Sequence, residues 1–194
     1  EKICSLPPSV SSNKIGAIRK KRPLLPFIRK KIAMGVSISK GNITGVSEFL
    51  QTVKKIQSDM PKLGVKVIIE GEDPGGVLQS LARDLEIRQT VTFIGKVPSS
   101  ESINFYEKID VLIIPDKENI SSTLIPNSRL LEAMSLGIPV ISRSLASSLE
   151  FINHGENGLC FESEDPTSLE ILLLKVLEKE IDINRISGEA LDLV

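Results

Sequence analysis

Six short apolar runs punctuate this chain, at residues 32–38, 65–69, 91–94, 111–114, 140–141 and 158–161, and helical spacing fills the stretches between them. Val65-Lys66-Val67-Ile68-Ile69 is β-branched apart from one lysine, and residues 111–114 are wholly apolar before Pro115, as buried strands require. Val46, Phe49, Leu50, Val53 and Ile56 recur at the helical period, as do apolar residues over 77–85 and 130–136, the last ending at Gly137. Ser99 is placed to cap a helix reaching about residue 108. Asp165-Pro166 opens a final helix, with Asp165 as cap and Pro166 in the first turn, and with Leu169, Leu172, Leu173, Val176 and Leu177 at its apolar positions. Continuous apolar strands alternating with amphipathic helices predict an α/β fold, a doubly wound parallel sheet covered on both faces with right-handed crossovers. Such sheets bind ligands beyond the carboxyl ends of their strands. The loops after Ile38, Ile69, Ile94, Ile114 and Ile141 are therefore the candidates.

Residues 1–30 differ from the rest. They hold Pro7, Pro8, Pro23 and Pro26, and from Lys14 to Lys31 inclusive run eight cations with no acid. Proline breaks helices and central strands, so the segment reads as a linker or arm. Two uses remain open: a solvated linker, or a basic patch for peripheral membrane contact through Lys14–Lys31 or for ligand phosphates. The expected organisation is an arm at 1–30, a domain at 31–180 and a tail at 181–194. The whole-chain charge of -1 argues against nucleic acid as a partner. No apolar run reaches bilayer length and no leader pattern stands at the start, so a cytoplasmic protein is expected. The opening at Glu1 reads as a piece of something longer. Cys4 and Cys160 lack metal-ligand neighbours, so thiols in a reducing compartment are expected rather than zinc, with a disulfide as the lesser alternative.

The stretch 124–143, Leu-Ile-Pro-Asn-Ser-Arg-Leu-Leu-Glu-Ala-Met-Ser-Leu-Gly-Ile-Pro-Val-Ile-Ser-Arg, carries the most chemistry. A loop ends at Pro126-Asn127 and a helix begins near Ser128. Its unpaired N–H groups and partial positive charge suit a diphosphate. Glu132 lies about one turn inside, where a carboxylate can accept from two adjacent ribose hydroxyls. On spacing alone, it serves equally as a helix-dipole carboxylate with no ligand.

Leu131-Glu132-Ala133-Met134 with Gly137-Ile138-Pro139-Val140-Ile141 resembles the "LEAMA-x-G-x-PVI" signature of retaining GT-B glycosyltransferases of the group 1, or family 4, type. Other pieces follow in family order. They are Val67-Ile68-Ile69-Glu70-Gly71, Val91-Thr92-Phe93-Ile94-Gly95, the run from Asp110 to Pro115, Glu150-Phe151-Ile152, Gly155-Glu156-Asn157-Gly158-Leu159 and Asp165-Pro166. The resemblance covers roughly residues 32–180. It implies a Rossmann-like domain forming one half of a GT-B architecture, the half that binds the nucleotide sugar, UDP- or GDP-linked. The resemblance implies an N-terminal acceptor domain of the same protein lying outside this chain. The implied reaction transfers sugar from an NDP-sugar to a glycan, lipid or small-molecule acceptor with retention and without metal or cofactor, in settings such as polysaccharide biosynthesis. One half of the cleft is not expected to be active alone.

The resemblance also distributes roles. Glu132 matches the ribose-holding second glutamate of the E-x7-E motif, and Lys40, after Gly35-Val36-Ser37, matches the lysine that reaches the diphosphate. Gly35 and Gly71 count among the donor-binding residues of the matching segments, and Lys96-Val97 match the segment whose backbone meets the base. Leu124, Ile125, Pro126, Asn127 and Ser128 match the loop over donor sugar and phosphates. No catalytic residue is assigned. Two positions depart from the pattern: Leu124 stands where the first glutamate belongs, and Val36 where an arginine precedes the lysine. Losing that arginine removes a bidentate phosphate clamp, for which Arg129 or Arg143 are candidates to compensate.

The remaining polar residues have plainer readings. His154 lies in an Asn-His-Gly turn, and the catalytic histidine of some family members belongs to their N-terminal domain, so a turn role is expected. Asp116, Lys117, Glu118 and Asn119 read as a solvated loop. Gly-Glu-Asp-Pro-Gly-Gly at 71–76 is not a dinucleotide fingerprint, and one histidine supports no nucleophile triad. Two alternatives to the transferase stay open: a non-catalytic sugar-nucleotide-binding or partner-binding module on the same fold, and another GT-B enzyme such as a sugar-nucleotide epimerase, against which the motif around Glu132 argues.

Overall fold

The computed structural model describes residues 31–38, 42–162, 164–165 and 167–193. In chain order the elements are β1 (Lys31–Ser37), α1 (Ile43–Asp59), β2 (Gly64–Glu70), α2 (Val77–Asp84), β3 (Val91–Gly95), α3 (Ser102–Tyr106), β4 (Val111–Ile114), α4 (Ile120–Leu124), α5 (Ser128–Ser135), β5 (Val140–Arg143), α6 (Ala146–Leu149), β6 (Leu159–Phe161), α7 (Ser168–Leu177) and α8 (Ile183–Leu193). The six strands form one sheet in the order β3-β2-β1-β4-β5-β6. Every pairing is parallel, with Met34 opposite both Val67 and Val111. The winding reverses between β1 and β4, and this opens a crevice at their carboxyl ends.

Alternation along the strands divides the core in two. Met34 and Val36, Val67 and Ile69, and Val111 and Ile113 face one side, against Val46, Phe49, Leu50, Leu78, Leu172 and Leu173 of α1, α2 and α7. Ile68, Leu112 and Ile114 face the other, against Phe105, Tyr106, Leu130, Met134 and Ala190 of α3, α5 and α8. Full burial of each large apolar side chain contributes roughly 1.5–3 kcal/mol, so both faces hold their helices firmly. Gly35 serves this packing. A Cβ there would lie 2.5 Å from Ile109 Cδ1 and 2.9 Å from Phe105 Cζ, so only a residue without a side chain allows this close strand–helix approach.

Three differences from the sequence reading matter. Residues 181–194, expected as a tail, carry α8, whose Ile183, Ile186 and Ala190 are buried and whose Ser187 Oγ donates to Gly137 O. The helix expected from Ser99 begins as a 3-10 turn at Ser99–Glu101 and becomes α-helical only at Ser102. Thr167, not Asp165, holds the N-cap position of α7. The Asp165 carboxylate instead accepts from Thr167 N and Oγ1, and those bonds hold its pKa below the ordinary value. Among the described residues, no helix is long and apolar enough to cross a membrane.

Candidate functional site

The crevice is floored by the ends of β1 and β4 and flanked by the starts of α1 and α5. Gly45, in the first turn of α1, sits so close to β4 that a Cβ would overlap the Pro115 carbonyl. The next residue, Asp116, is buried rather than solvated, because both its oxygens have partners: Asn42 Nδ2 donates to Oδ1 at 2.7 Å and Asn127 Nδ2 to Oδ2 at 2.8 Å. Asn127 also caps α5, its Oδ1 accepting from Arg129 N at 3.0 Å. Of the rest of this loop, Glu118 is exposed as expected, Asn119 caps α4 and Lys117 pairs with Glu48.

A second network lies beside the crevice. Arg129 Nε donates to Glu70 Oε1 at 2.7 Å and Arg129 Nη1 to Glu132 Oε2 at 2.8 Å. Tyr106 OH donates to the same Glu132 Oε2 at 2.9 Å, and Ser37 Oγ to Glu70 at 2.7 Å. Glu132 thus presents a carboxylate fixed through one oxygen. Glu70 is 2% exposed and its Oε2 has no partner among the described residues. Burial pushes the Glu70 pKa up, against the opposing pull of Ser37 and Arg129. Burial, and then the Glu132 charge, push the Tyr106 phenol well up, so it remains a donor.

The predicted residues fall into three groups. Asn127, Ser128 and Glu132 share α5, with Asn127 at the crevice and Glu132 one turn further in. Gly71 and Lys96 line a separate pocket of about 400 Å³ at the ends of β2 and β3, with Phe93, Pro74 and Gln79. Gly71 is demanded there by φ +111 and by Ile38 O, 2.7 Å from where a Cβ would stand. Val97 follows Lys96 and is half-buried, outside that pocket's lining. Leu124 and Ile125, 73% and 68% exposed, and half-buried Pro126 form an apolar rim before α5. Lys40 and the basic segment 14–30 lie outside the described residues, as does Cys4.

The departures from the family pattern also have structural correlates. Val36 is fully buried against α1, so its side chain faces the core. Neither candidate substitute is idle: Arg129 bridges two carboxylates, and Arg143 donates to Glu48 Oε2 at 3.0 Å while lying over the Phe161 ring. His154 holds its turn, with Nδ1 accepting from Cys160 N. Cys160 is buried, and that pushes its thiol up to about 11. Among the described residues, no three His, Cys, Asp or Glu side chains cluster to hold a metal. Sequence reasoning missed Glu70, Tyr106 and the ties of Asp116. The available signal was an acid closing each of two apolar runs, Ile-Ile-Glu and Ile-Pro-Asp.

A family model described as Glycosyl transferases group 1 matches residues 29–179. The uncharacterized glycosyltransferase MJ1607 of Methanocaldococcus jannaschii is 28% identical over 126 residues, which is 64% of this chain and 30% of that protein. Anabaena Alr3699/HepE, solved in complex with UDP and glucose, superposes with TM-score 0.67 at 18% identity, over 94% of this chain and 47% of its own. The C-terminal domain of the glycosyl transferase group 1 family protein LpcC from Francisella tularensis superposes with TM-score 0.64 at 21% identity, over 97% of this chain and 92% of its own. This chain spans less than half the length of the first two proteins. The superpositions establish the fold as one half of a GT-B architecture. With the family model running through residues 29–179, the chain belongs to the glycosyl transferases group 1 family.

Proposed function

We propose that this chain is the donor-binding, C-terminal half of a retaining, metal-independent glycosyltransferase. It would hold an NDP-sugar while an N-terminal domain of the same protein holds the acceptor. The observation that carries this reading is the convergence of two helix starts on the β1/β4 crevice, with the Glu132 carboxylate fixed one turn inside α5. Helix N-termini stabilise the charge that builds on a departing diphosphate, and they do so without reorganising. Glu132, oriented through Oε2 by Arg129 and Tyr106, offers its other oxygen to ribose hydroxyls. Lys40 supplies the cation, and the pocket at Gly71 and Lys96 receives the base. The UDP bound by the Anabaena protein makes UDP the first nucleotide to try. A cytoplasmic setting and peripheral membrane contact through the segment from Lys14 to Lys31 belong to the same proposal and rest on sequence alone.

A second reading, a binding module without transfer activity, is favoured by the buried Val36 and by the exposed Leu124 at the position of the first motif glutamate. Calorimetry with UDP, GDP and ADP separates donor binding from its absence. Saturable binding of one nucleotide is expected, weakened about tenfold by Glu132→Ala, the scale of a hydrogen bond to a charged group, and also by Lys40→Ala. Failure of all three to bind the folded protein would sink the donor-site reading. Transfer from the matching nucleotide sugar then distinguishes an enzyme from a binder.

A further inference from the structure

Asp116 holds a position that the family motifs do not explain. It stands two residues beyond the end of β4, is 8% exposed, and commits each oxygen to the amide of a different helix start. Asn42 occupies the N-cap of α1, yet its side chain makes no capping bond. Its Nδ2 turns to Asp116 and to Ser37 O at 3.1 Å instead. An asparagine at an N-cap ordinarily takes up an N–H of the first turn; here its Nδ2 ties the helix start to the ends of β1 and β4. Asn127 is divided, its oxygen capping Arg129 N and its nitrogen reaching Asp116. Gly45 supplies an independent tie, because only a residue without a side chain lets α1 approach the Pro115 carbonyl so closely. Both helix starts are thereby referenced to Pro115-Asp116, just beyond the strand that borders the topological reversal.

We propose that Asp116 is a positioning residue for the diphosphate. By clamping Asn42 and Asn127, it sets the spacing and direction of the α1 and α5 N-termini so that both face one anion. The role rests on the donor-site reading above. Rigid donors matter because an anion site that must rearrange loses part of its advantage in doing so. The pocket proposed for the base lies at the ends of β2 and β3, and Glu132 sits one turn inside α5, so loosening the clamp should weaken phosphate contacts more than nucleoside contacts.

Asp116→Asn tests this with little change of volume. One acceptor becomes an NH2 facing the amide NH2 of Asn42 or Asn127. If the amide of Asn127 flips to accommodate it, its oxygen leaves Arg129 N and the cap is lost instead. The wild type and D116N are titrated with UDP, GDP and ADP, and with the corresponding nucleosides by competition, with thermal unfolding as a control for folding. At least tenfold weaker diphosphate binding is expected, with nucleoside binding within threefold of wild type. Unchanged diphosphate affinity overturns the role. So does an equal loss for nucleotide and nucleoside, which would make Asp116 a general support of the fold. If D116N does not fold, Asn127→Ser takes its place: serine still caps α5 but is too short to reach Asp116, and the same selective loss is expected, with wild-type affinity overturning the role. A wild-type protein that binds none of the three diphosphates overturns the donor-site reading and this role with it. Binding by wild type with no selective loss in the variants overturns this role alone.

Discussion

Two acids close neighbouring parts of the carboxyl edge, and they are treated in opposite ways. Asp116, after β4, has both oxygens satisfied by neutral amides from two helices. Glu70, ending β2, shares one arginine with Glu132 and keeps an oxygen without a partner among the described residues. A carboxylate satisfied by amides stiffens what it touches. Two carboxylates on one guanidinium, one of them buried, leave a local imbalance that folding alone does not reward. Violations of polar satisfaction collect at functional sites. The difference therefore separates a frame, around Asp116, from a responsive element, around Glu70, that meets the proposed ribose carboxylate.

Removing the shared cation should break that comparison most severely. Arg129→Met leaves Glu70 buried without a counter-ion and Glu132 without its orienting donor, and a loss of about 3–5 kcal/mol in urea unfolding is expected, the scale of breaking a buried pair. Adding Glu70→Gln to it should recover a large part of that loss, because the stranded charge goes too. Recovery of nothing would mean that Arg129 acts by packing.

Gly45→Ala attacks the frame instead. The new Cβ meets the Pro115 carbonyl, which is backbone and cannot swing aside, so α1 must shift from β4. About 2 kcal/mol of destabilisation is expected, within the range for overpacking, despite the helix preference of alanine. Thermal unfolding measures it, and a neutral result would show that the α1 start is looser than its contacts require.

Tyr106→Phe is a smaller probe of the responsive side. It deletes one donor to Glu132 and leaves the buried ring in place, so a stability loss of about 1 kcal/mol is expected. Nucleotide affinity should fall several-fold if the phenol fixes the carboxylate for ribose. An affinity change without a stability change would sharpen the contrast between the two networks.

The strands and long helices could be read from the chain because their cause is local. Runs such as Val111–Ile114 and the spacing of Val46, Phe49, Leu50, Val53 and Ile56 state their burial directly. Helices α4 and α6, of 5 and 4 residues, are too short to show a period. In α8 the buried Ile183, Ile186 and Ala190 are interrupted by Ser187-Gly188, which weakens the helical signal. Glu132 and Asn127 were legible through the family resemblance and the physics of helix starts. The ties of Asp116 to Asn42 and of Tyr106 to Glu132 span 74 and 26 residues, so no local pattern carries them. The fold had to bring those partners together before an acid after a strand could be told from a loop residue in solvent.

The smallest expected effect is also the most direct test of the imbalance at Glu70. Its folded pKa is raised chiefly by burial, while the unfolded chain keeps the ordinary carboxylate value. The folded state therefore holds the proton more tightly. Its contribution to stability is fully present below the ordinary value and is lost as pH climbs through the raised one. Glu70→Gln should retain the acceptor that takes the Ser37 and Arg129 bonds while removing this dependence. The stability of wild type minus that of E70Q, from urea unfolding between about pH 4 and about pH 8, should fall with rising pH and then level off, at no more than about 1.4 kcal/mol per pH unit for one proton. A difference that grows with pH would mean that the Arg129 pairing outweighs burial. Glu70 would then be as well satisfied as Asp116, and the distinction between frame and responsive element would disappear.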